Sequence, residues 1–229
     1  MLKLYIANKN YSSWSLRPWV LMRELNIAFA EILVPFDADP SVGSFRKFSP
    51  SGKVPCLVDG ARVVWDSLAI AEYLAERTGE VWPADVDARA FARCAAAEMH
   101  SGFFALRVDC TMSCGLRINP KPFSPALSAD LQRIDQLWKQ GLERFGGPFL
   151  AGGEFTAADA FFAPVAFRVQ TYTLPLSDVA QAYVERLLAL PAMREWYAAA
   201  LAEPWRDATH EKEARGLGTL LHDHRTGAA

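Results

Sequence analysis

The sequence predicts a small α/β domain followed by an all-helical domain. Strand-length apolar runs alternate with helical patterns before Gly79, strand signals then stop, and long Ala-rich helical patterns fill the rest. A chain of 229 residues is long enough for two such domains. We therefore expect an α/β domain over residues 1–80, a linker over 81–87 and a helical domain over 88–229.

The first 80 residues divide into alternating strands and helices. The apolar patterns predict strands over 2–7, 30–35, 54–58 and 62–65, and helices over 15–25 and 67–77. Asp59-Gly60 is a dipeptide typical of a tight hairpin and joins the last two strands. A polar loop rich in Asp, Pro, Ser and Gly is expected over 37–52.

The remainder of the chain is predicted to be helical. The patterns predict helices over 88–111, 126–145, 157–171 and 179–202, the last one broken at Pro191. Thr156 and Asp159 have the spacing of a capping box, which indicates a structural role at a helix start. A Pro-rich loop spans 119–125, and the polar tail from Arg206 is expected to fray.

The composition excludes several classes of partner. The net charge of -2 provides no excess of Lys and Arg for nucleic-acid phosphates. No apolar run approaches the roughly 20 residues that span a bilayer, so no membrane partner is expected. The four cysteines lack an extracellular disulfide framework, which predicts reduced thiols and a cytoplasmic location.

The first segment that indicates chemistry is the turn Asn10-Tyr-Ser-Ser-Trp-Ser-Leu-Arg-Pro18. Because proline is best tolerated in the first turn of a helix, Pro18 predicts Ser15 as the N-cap. Ser12 and Ser13 then fall in the turn just before the helix. These serines either cap and turn the chain or present a hydroxyl to a ligand.

Two further segments offer binding groups for a small peptide. A cis Val54–Pro55 bond at a strand start would leave the Val54 backbone open to an extended ligand that pairs like an added strand. Asp66 and Ser67 begin the next predicted helix, where a helix N-terminus and a hydroxyl suit a carboxylate. The Asp66 carboxylate suits an ammonium group. The pair would thus recognise the zwitterionic head of an amino acid, and it also fits simple N-capping.

In their order and spacing, these segments resemble the cytosolic glutathione transferases. The resemblance extends to about Trp205 and is carried by Ser12-Ser-Trp-Ser-Leu-Arg17, which is similar to the serine motif of the zeta-like and theta-like branches. The resemblance is also carried by two glutathione-binding segments, Lys53-Val-Pro55 and Asp66-Ser-Leu-Ala-Ile70, and by the capping motif Thr156-Ala-Ala-Asp159. The resemblance implies a thioredoxin-like N-terminal domain, an all-α C-terminal domain, glutathione as cosubstrate, and usually a homodimer.

The resemblance also assigns expected roles to single residues. Either Ser13 or Ser12 should face the glutathione sulfur. Ser13 is favoured because it lies four residues before Arg17, which is the spacing found in theta-like relatives. The comparison with zeta-like relatives keeps Ser12 as the alternative. Each serine is therefore a candidate catalytic residue.

The remaining assignments concern the peptide itself. Val54, next to a cis Pro55, should pair with the cysteinyl backbone. Asp66 and Ser67 should bind the γ-glutamyl end, and Lys53 should reach the glycyl carboxylate.

The predicted function is conjugation of the glutathione thiolate to a small electrophile, as in detoxification. A glutathione-dependent cis–trans isomerase of the maleylacetoacetate type is an alternative, although Trp14 departs from the Ser-Ser-Cys-Ser pattern of those enzymes. A non-catalytic glutathione-binding or ligand-binding protein is another. Thiol–disulfide exchange is disfavoured because the turn before the first helix carries no cysteine.

The second substrate is expected to contact the start of the helical domain. Trp14, Phe103 and Arg107 are the candidate wall, with His100 and Phe104 nearby, although packing in the core explains the aromatic residues equally well. An aromatic wall suits an apolar electrophile, whereas Arg107, with Arg117 and Lys121, would favour an anion.

Two pairs of metal-ligand residue types occur in the helical part. Cys110 and Cys114 indicate ordinary packing because no histidine lies near them in sequence. His222 and His224 fall in the tail that is expected to fray. No metal site is therefore expected.

Overall fold

The structure is a computed structural model that describes residues 1–36 and 44–225. The strands are β1 (Leu2–Ile6), β2 (Phe29–Leu33), β3 (Cys56–Asp59), β4 (Arg62–Trp65), β5 (Leu116–Pro120) and β6 (Gly218–Asp223). The helices are α1 (Ser13–Glu24), α2 (Ser67–Thr78), α3 (Val86–Ser101), α4 (Phe104–Asp109), α5 (Pro125–Phe145), α6 (Ala157–Tyr172), α7 (Asp178–Ala189), α8 (Pro191–Ala202) and α9 (Ala208–Gly216). The part of the predicted 37–52 loop that falls on 37–43 lies outside the described residues.

The N-terminal domain is built on a four-stranded sheet in the order β2-β1-β3-β4. Strand β1 pairs in parallel with β2 and antiparallel with β3, so that Leu4 lies opposite Leu57. The β3–β4 hairpin turns at Gly60, whose φ of 60° is a left-handed conformation that glycine adopts without steric cost. Helices α1 and α2 pack on this sheet. The arrangement confirms the predicted thioredoxin-like domain.

Helix α6 forms the centre of the helical domain. Every residue of α6 except Gln170 is buried, because α1 of the N-terminal domain and α3 and α7 of the helical domain all contact it. The buried apolar side chains of both domains form one continuous core. The relative placement of the domains is therefore set by hydrophobic packing and not by the linker alone.

The predicted capping box at the start of α6 is present and extends further than the sequence indicates. The fully buried Asp159 carboxylate accepts hydrogen bonds from the backbone N–H of Thr156 at 2.9 Å and of Leu150 at 3.0 Å. It also accepts from the Tyr183 hydroxyl at 2.7 Å. One carboxylate thus joins α6, α7 and the loop before α6.

The predicted 88–111 helix is wrong as a single element, because it breaks after Ser101. Phe103 adopts a left-handed conformation with φ of 57°. The Arg107 guanidinium lies across the break and donates to the carbonyls of Met99, His100 and Gly102. These carbonyls have lost their helical partners, so the arginine replaces the missing backbone donors.

The prediction of a fraying tail is also wrong within the described residues. Residues 208–216 form α9, and β6 pairs antiparallel with β5. Strands therefore do not stop after Gly79. The charged side chains that suggested solvation instead pair with one another, with Arg206 and Arg215 both contacting Asp223.

Across the described residues, no helix is both long enough and apolar enough to cross a membrane.

Replacement of Asp159 by alanine tests the capping network. We expect the free energy of unfolding to fall by about 3–5 kcal/mol, because several buried donors lose their acceptor. The measurement is urea denaturation followed by far-ultraviolet circular dichroism. Asp87→Ala is the control: its exposed carboxylate pairs with Arg144 at 3.7 Å, and its loss should cost less than about 1 kcal/mol. Equal losses in the two variants would contradict the role given to Asp159.

Candidate active site

A cavity of about 380 Å³ lies where the β1–α1 loop faces the helical domain. It brings together six residues predicted from the sequence: Ser12, Ser13, Trp14, Lys53, Val54 and Arg107. It also contains residues that the sequence analysis missed, among them Tyr11, Phe36, Thr111, Met112, Arg168 and His210. The cavity is therefore shared between the two domains.

The serines at the start of α1 occupy different positions from those expected. Ser12 is the N-cap and Ser13 is the first helical residue, so the predicted N-cap at Ser15 is wrong. Ser12 Oγ donates to Ser15 Oγ at 2.7 Å, and Ser15 Oγ accepts from the Ala7 N–H at 3.3 Å. The helix starts earlier because Ser15 ties the turn to β1 with its side chain instead of capping α1.

Ser13 differs from its neighbours because its hydroxyl has no hydrogen-bond partner among the described residues. It lies in the first turn of α1 and lines the cavity, with only 8% of its surface exposed. The positive end of the helix dipole is located there. Ser13 thus has a hydroxyl that is free to bind a ligand.

The loop before these serines is held by the C-terminal part of the chain. The Glu203 carboxylate accepts from the backbone N–H of Lys9 at 2.5 Å and of Asn10 at 3.3 Å. The Trp196 indole donates to the Lys9 carbonyl at 2.9 Å. Asn10 is fully buried and its Oδ1 accepts from the Gly115 N–H at 2.9 Å.

Tyr11 lines the cavity but is already engaged in a buried charge network. Its hydroxyl donates to Glu211 Oε1 at 2.5 Å and accepts from Arg225 Nη1 at 2.7 Å. Burial and the Glu211 carboxylate raise the pKa of Tyr11 to about 12. The phenol therefore stays neutral at ordinary pH and does not offer its proton to a ligand.

Trp14 carries two guanidinium groups against its ring. The Arg17 and Arg107 groups lie 4.2 and 4.7 Å from the ring centroid. Such cation–π contacts stabilise a cation whose water has been removed. Burial and the charges of Arg107 and Arg168 lower the pKa of Arg17 well below its usual range.

Asp66 and Ser67 do not line the cavity. Asp66 Oδ1 accepts from the Leu68 N–H at 2.8 Å and so caps α2, while Oδ2 lies 3.4 Å from Nε2 of His100. Burial lowers the pKa of His100, which favours the neutral imidazole at pH 7, so the contact between His100 and Asp66 is not an ion pair there. The His100 ring contacts Trp14 at 5.4 Å, which places Asp66 close behind the cavity wall.

Two features at this helix start indicate a binding role. Asp66 adopts φ of 76° and ψ of 136°, a conformation that costs a non-glycine residue about 1–3 kcal/mol and that clusters at functional sites. Ser67 Oγ is buried without a hydrogen-bond partner among the described residues. An orphaned buried hydroxyl is what a bound carboxylate would satisfy.

The other predicted site residues fall outside the cavity. The Val54–Pro55 bond is cis as expected, but Pro55 is buried behind Val54 and does not reach the lining. Phe103 is 6% exposed and packs in the core, outside the cavity lining, and its place in the second-substrate wall stays a prediction. His100 and Phe104 are also absent from the lining.

Cys56 and Cys110 are buried thiols, and His222 and His224 lie near the end of the described residues. Burial raises the pKa of the Cys56 thiol, and that of Cys110 to about 12. No cluster of three or more His, Cys, Asp or Glu residues suited to a metal occurs within residues 1–36 and 44–225. His222 and His224 stack on each other at 5.2 Å in and beside β6.

The fold and the cavity define a class of protein: a thioredoxin-like domain that carries a serine at the first turn of α1, joined to a helical domain. A family model described as the glutathione S-transferase N-terminal domain matches residues 11–77, and the corresponding C-terminal domain model matches residues 124–199. The chain belongs to the glutathione S-transferase family.

Comparison with individual proteins agrees with this placement. The chain is 28% identical over 166 residues to a zeta class glutathione S-transferase of Euphorbia esula, covering 71% of this chain and 73% of that protein. A glutathione transferase homologue from Burkholderia GL BGR1 with bound glutathione has a TM-score of 0.66 at 23% identity over 87% of this chain and 97% of its own. A theta class enzyme from Xanthomonas axonopodis pv. citri with bound glutathione has a TM-score of 0.61 at 22% identity, over 86% and 96%. These structural likenesses establish the shared fold.

Replacement of Glu203 tests how the serine loop is held. We expect Glu203→Ala to lower the free energy of unfolding by about 2–4 kcal/mol, because two buried N–H groups lose their acceptor. Urea denaturation measures this loss. Glu195→Ala is the control, since its half-exposed carboxylate pairs with Arg23 on the surface and should contribute less than about 1 kcal/mol. A Glu203→Ala variant as stable as the control would refute the anchoring role.

Proposed function

We propose that the protein is a glutathione transferase in which the Ser13 hydroxyl stabilises the glutathione thiolate for attack on a small electrophile. The observation that carries this proposal is the unpartnered Ser13 hydroxyl at the first turn of α1, inside the shared cavity. Ser12 is less suited because its proton is directed to Ser15. In this arrangement Ser12 orients the turn and Ser13 contacts the sulfur.

A serine is energetically sufficient for this task. A free thiol has a pKa of about 8.5, so only a small fraction is thiolate at neutral pH. Lowering that pKa to about 6.5 requires roughly 2.7 kcal/mol. A hydrogen bond to a charged group supplies about 1.5–3 kcal/mol and a helix N-terminus about 0.3–1 kcal/mol. Neither a general base nor a metal is needed.

The backbone at Val54 suits the cysteinyl part of glutathione. Val54 lies on the cavity wall, and its N–H and C=O form no backbone hydrogen bond within the described residues. An extended peptide can therefore pair with it as an added strand. The exposed Lys53 lies beside it on the same wall and suits the glycyl carboxylate.

The start of α2 suits the γ-glutamyl end. The buried Ser67 hydroxyl and the N-terminus of α2 match a carboxylate, and the Asp66 carboxylate beside a neutral His100 matches an ammonium group. Binding requires the Asp66 side chain to share its charge between the ligand and its cap on α2. The strained backbone at Asp66 is consistent with such a role.

The proposed reaction is a displacement or addition at the electrophile. With an aryl chloride, the thiolate forms a C–S bond, chloride leaves with the electron pair of the C–Cl bond, and the thiol proton is released to solvent. A cis–trans isomerase would use the same thiolate for reversible addition. The cationic side chains at the cavity suit the anionic substrate of such an enzyme, so isomerisation is the second candidate.

We also propose the homodimer and the cytoplasmic location that the resemblance and the cysteine pattern predict. In the described part of the chain all four cysteines are free, which is consistent with a reducing compartment.

Ser13→Ala tests the thiolate mechanism. We expect the variant to bind glutathione with near-native affinity by calorimetry, while the pKa of the bound thiol rises by about 1–2 toward its free value. The thiolate absorbance in the ultraviolet, recorded against pH, measures that pKa. At pH 7 the rate of conjugation should fall about 10- to 100-fold.

Two matched variants make the Ser13 experiment specific. Tyr11→Phe should leave the thiol pKa unchanged, because the phenol proton is held by Glu211. Ser12→Ala should change it less than Ser13→Ala. A larger effect at Ser12 would transfer the role to that hydroxyl, and absence of glutathione binding by the native protein would refute the proposal altogether.

Ser67→Ala tests the γ-glutamyl site. We expect the dissociation constant for glutathione to rise about 10-fold or more, because a carboxylate loses a charge-assisted hydrogen bond. The thiol pKa of whatever glutathione binds should stay at its native value. The protein itself should be no less stable, since the hydroxyl has no partner to lose. Unchanged affinity would remove Ser67 from the binding site.

A further inference from the structure

The cavity contains more positive charge than its neighbouring carboxylates balance. Arg107 and Arg168 line it, and the buried Arg17 is near enough to both for their charges to interact. None of the three forms an ion pair with a carboxylate in the part of the chain that the structure describes. Most other arginines within hydrogen-bond reach of an acid lie at the surface, for example Arg133 with Glu98. Both arginines of the cavity lining therefore lack an acidic partner.

Arg168 is the most unusual member of this group. It is the only basic residue in α6 and is 4% exposed, yet it lines the cavity. Its Nε donates to the Cys110 carbonyl at 2.8 Å and its Nη1 to the Pro164 carbonyl at 3.2 Å. Its Nη2 has no partner among the described residues. Burial and the charge of Arg107 lower the pKa of Arg168 to about 10, so it remains a cation at pH 7.

Arg107 lies on the same wall, and its guanidinium group also has one nitrogen without a hydrogen-bond partner in the described residues. Its Nε and Nη2 are used by carbonyls at the break after α3, and its Nη1 has no partner in the residues described. The nearest acid is Asp130, whose Oδ2 already accepts from the Leu106 N–H. Glu213 also lines the cavity but pairs with neither arginine. Two guanidinium groups thus each keep one donor nitrogen free.

An unpaired buried cation is costly, and proteins normally pair or neutralise it. Arg168 is buried and Arg107 is half-buried in the same cavity wall, and an anion would complete the hydrogen bonding of both. Guanidinium forks bind carboxylates with strong, directed hydrogen bonds. Aromatic side chains at Trp14 and Phe36 line the same cavity and suit a planar or apolar body attached to that anion.

We propose that Arg107 and Arg168 bind a carboxylate of the second substrate, so that the enzyme acts on anionic electrophiles. This inference rests on the proposed transferase function. It assigns the free nitrogens of both arginines to the substrate and the serine end of the cavity to glutathione.

Two electrophiles that differ only in charge test the proposal on the native protein. A chlorodinitrobenzoate carries the carboxylate, and the corresponding carboxamide has nearly the same shape without the charge. We expect kcat/KM to be at least about 10-fold higher for the carboxylate, although its ring is intrinsically no better an electrophile. Quenching of tryptophan fluorescence, without glutathione, should likewise show tighter binding of the carboxylate. Equal or better use of the carboxamide would overturn the proposal.

Variants then identify the residues. Arg168→Met should lower kcat/KM for the carboxylate about 10- to 100-fold and change that for the carboxamide less than about 3-fold, with Arg168→Lys in between. Arg107→Met should behave similarly, which keeps the test valid if one variant folds poorly. Arg117→Met is the control, because that arginine donates to the Cys114 and Leu116 carbonyls outside the cavity lining.

The outcomes separate the two proposals. Loss of activity toward both electrophiles with a raised pKa of the bound thiol would show that the arginines serve the thiolate, which overturns the anion site but not the transferase. Preferential fluorescence quenching by the carboxylate without any glutathione binding would support the anion site and refute the transferase function.

Discussion

The site depends on one carboxylate from the helical domain that holds the backbone of the N-terminal domain. Glu203 accepts the N–H groups of Lys9 and Asn10, and the Trp196 indole donates to the Lys9 carbonyl. Because these contacts hold the backbone just before α1, they fix the positions of Ser12 and Ser13 in the cavity wall. The thioredoxin-like domain therefore does not set its serine geometry alone. The packing of α1 on α6 and α8 brings the required residues into place.

Charge is distributed unevenly in this nearly neutral chain. The net charge is only -2, yet Arg107 and Arg168 line the cavity and Arg17 lies close to both, all three without a carboxylate ion pair in the described residues. Part of their cost is offset by carbonyl acceptors at the break between α3 and α4 and by the Trp14 ring. Arg107 thus serves the fold and the cavity at once, since two of its nitrogens cap the broken helix and a third stays free.

The sequence was sufficient for the domain order, the four strands of the N-terminal sheet, the hairpin at Asp59-Gly60 and the capping box at Asp159, because each depends on local periodicity or spacing. It was insufficient where long-range pairing decides. The tail beyond Arg206 is polar, so its helix and strand could not be predicted without knowing that Glu211 and Arg225 both hydrogen-bond to the Tyr11 hydroxyl. Arg168 left one signal that was missed: it is the only basic residue in a mostly apolar helix.

The adjacent serines differ in the hydrogen bonding of their hydroxyls, and this difference follows from local geometry. Ser15 Oγ accepts from both the Ala7 N–H and Ser12 Oγ, which links the end of β1 to the first turn of α1 through side chains. That link directs the Ser12 proton away from the cavity and fixes the N-cap one residue before Ser13. Ser13 is then the first residue with helical geometry. The positive end of the α1 dipole lies there, and no group of the helix competes for the Ser13 hydroxyl. The Ser12 hydroxyl is therefore held by Ser15, and the Ser13 hydroxyl stays free at the start of α1.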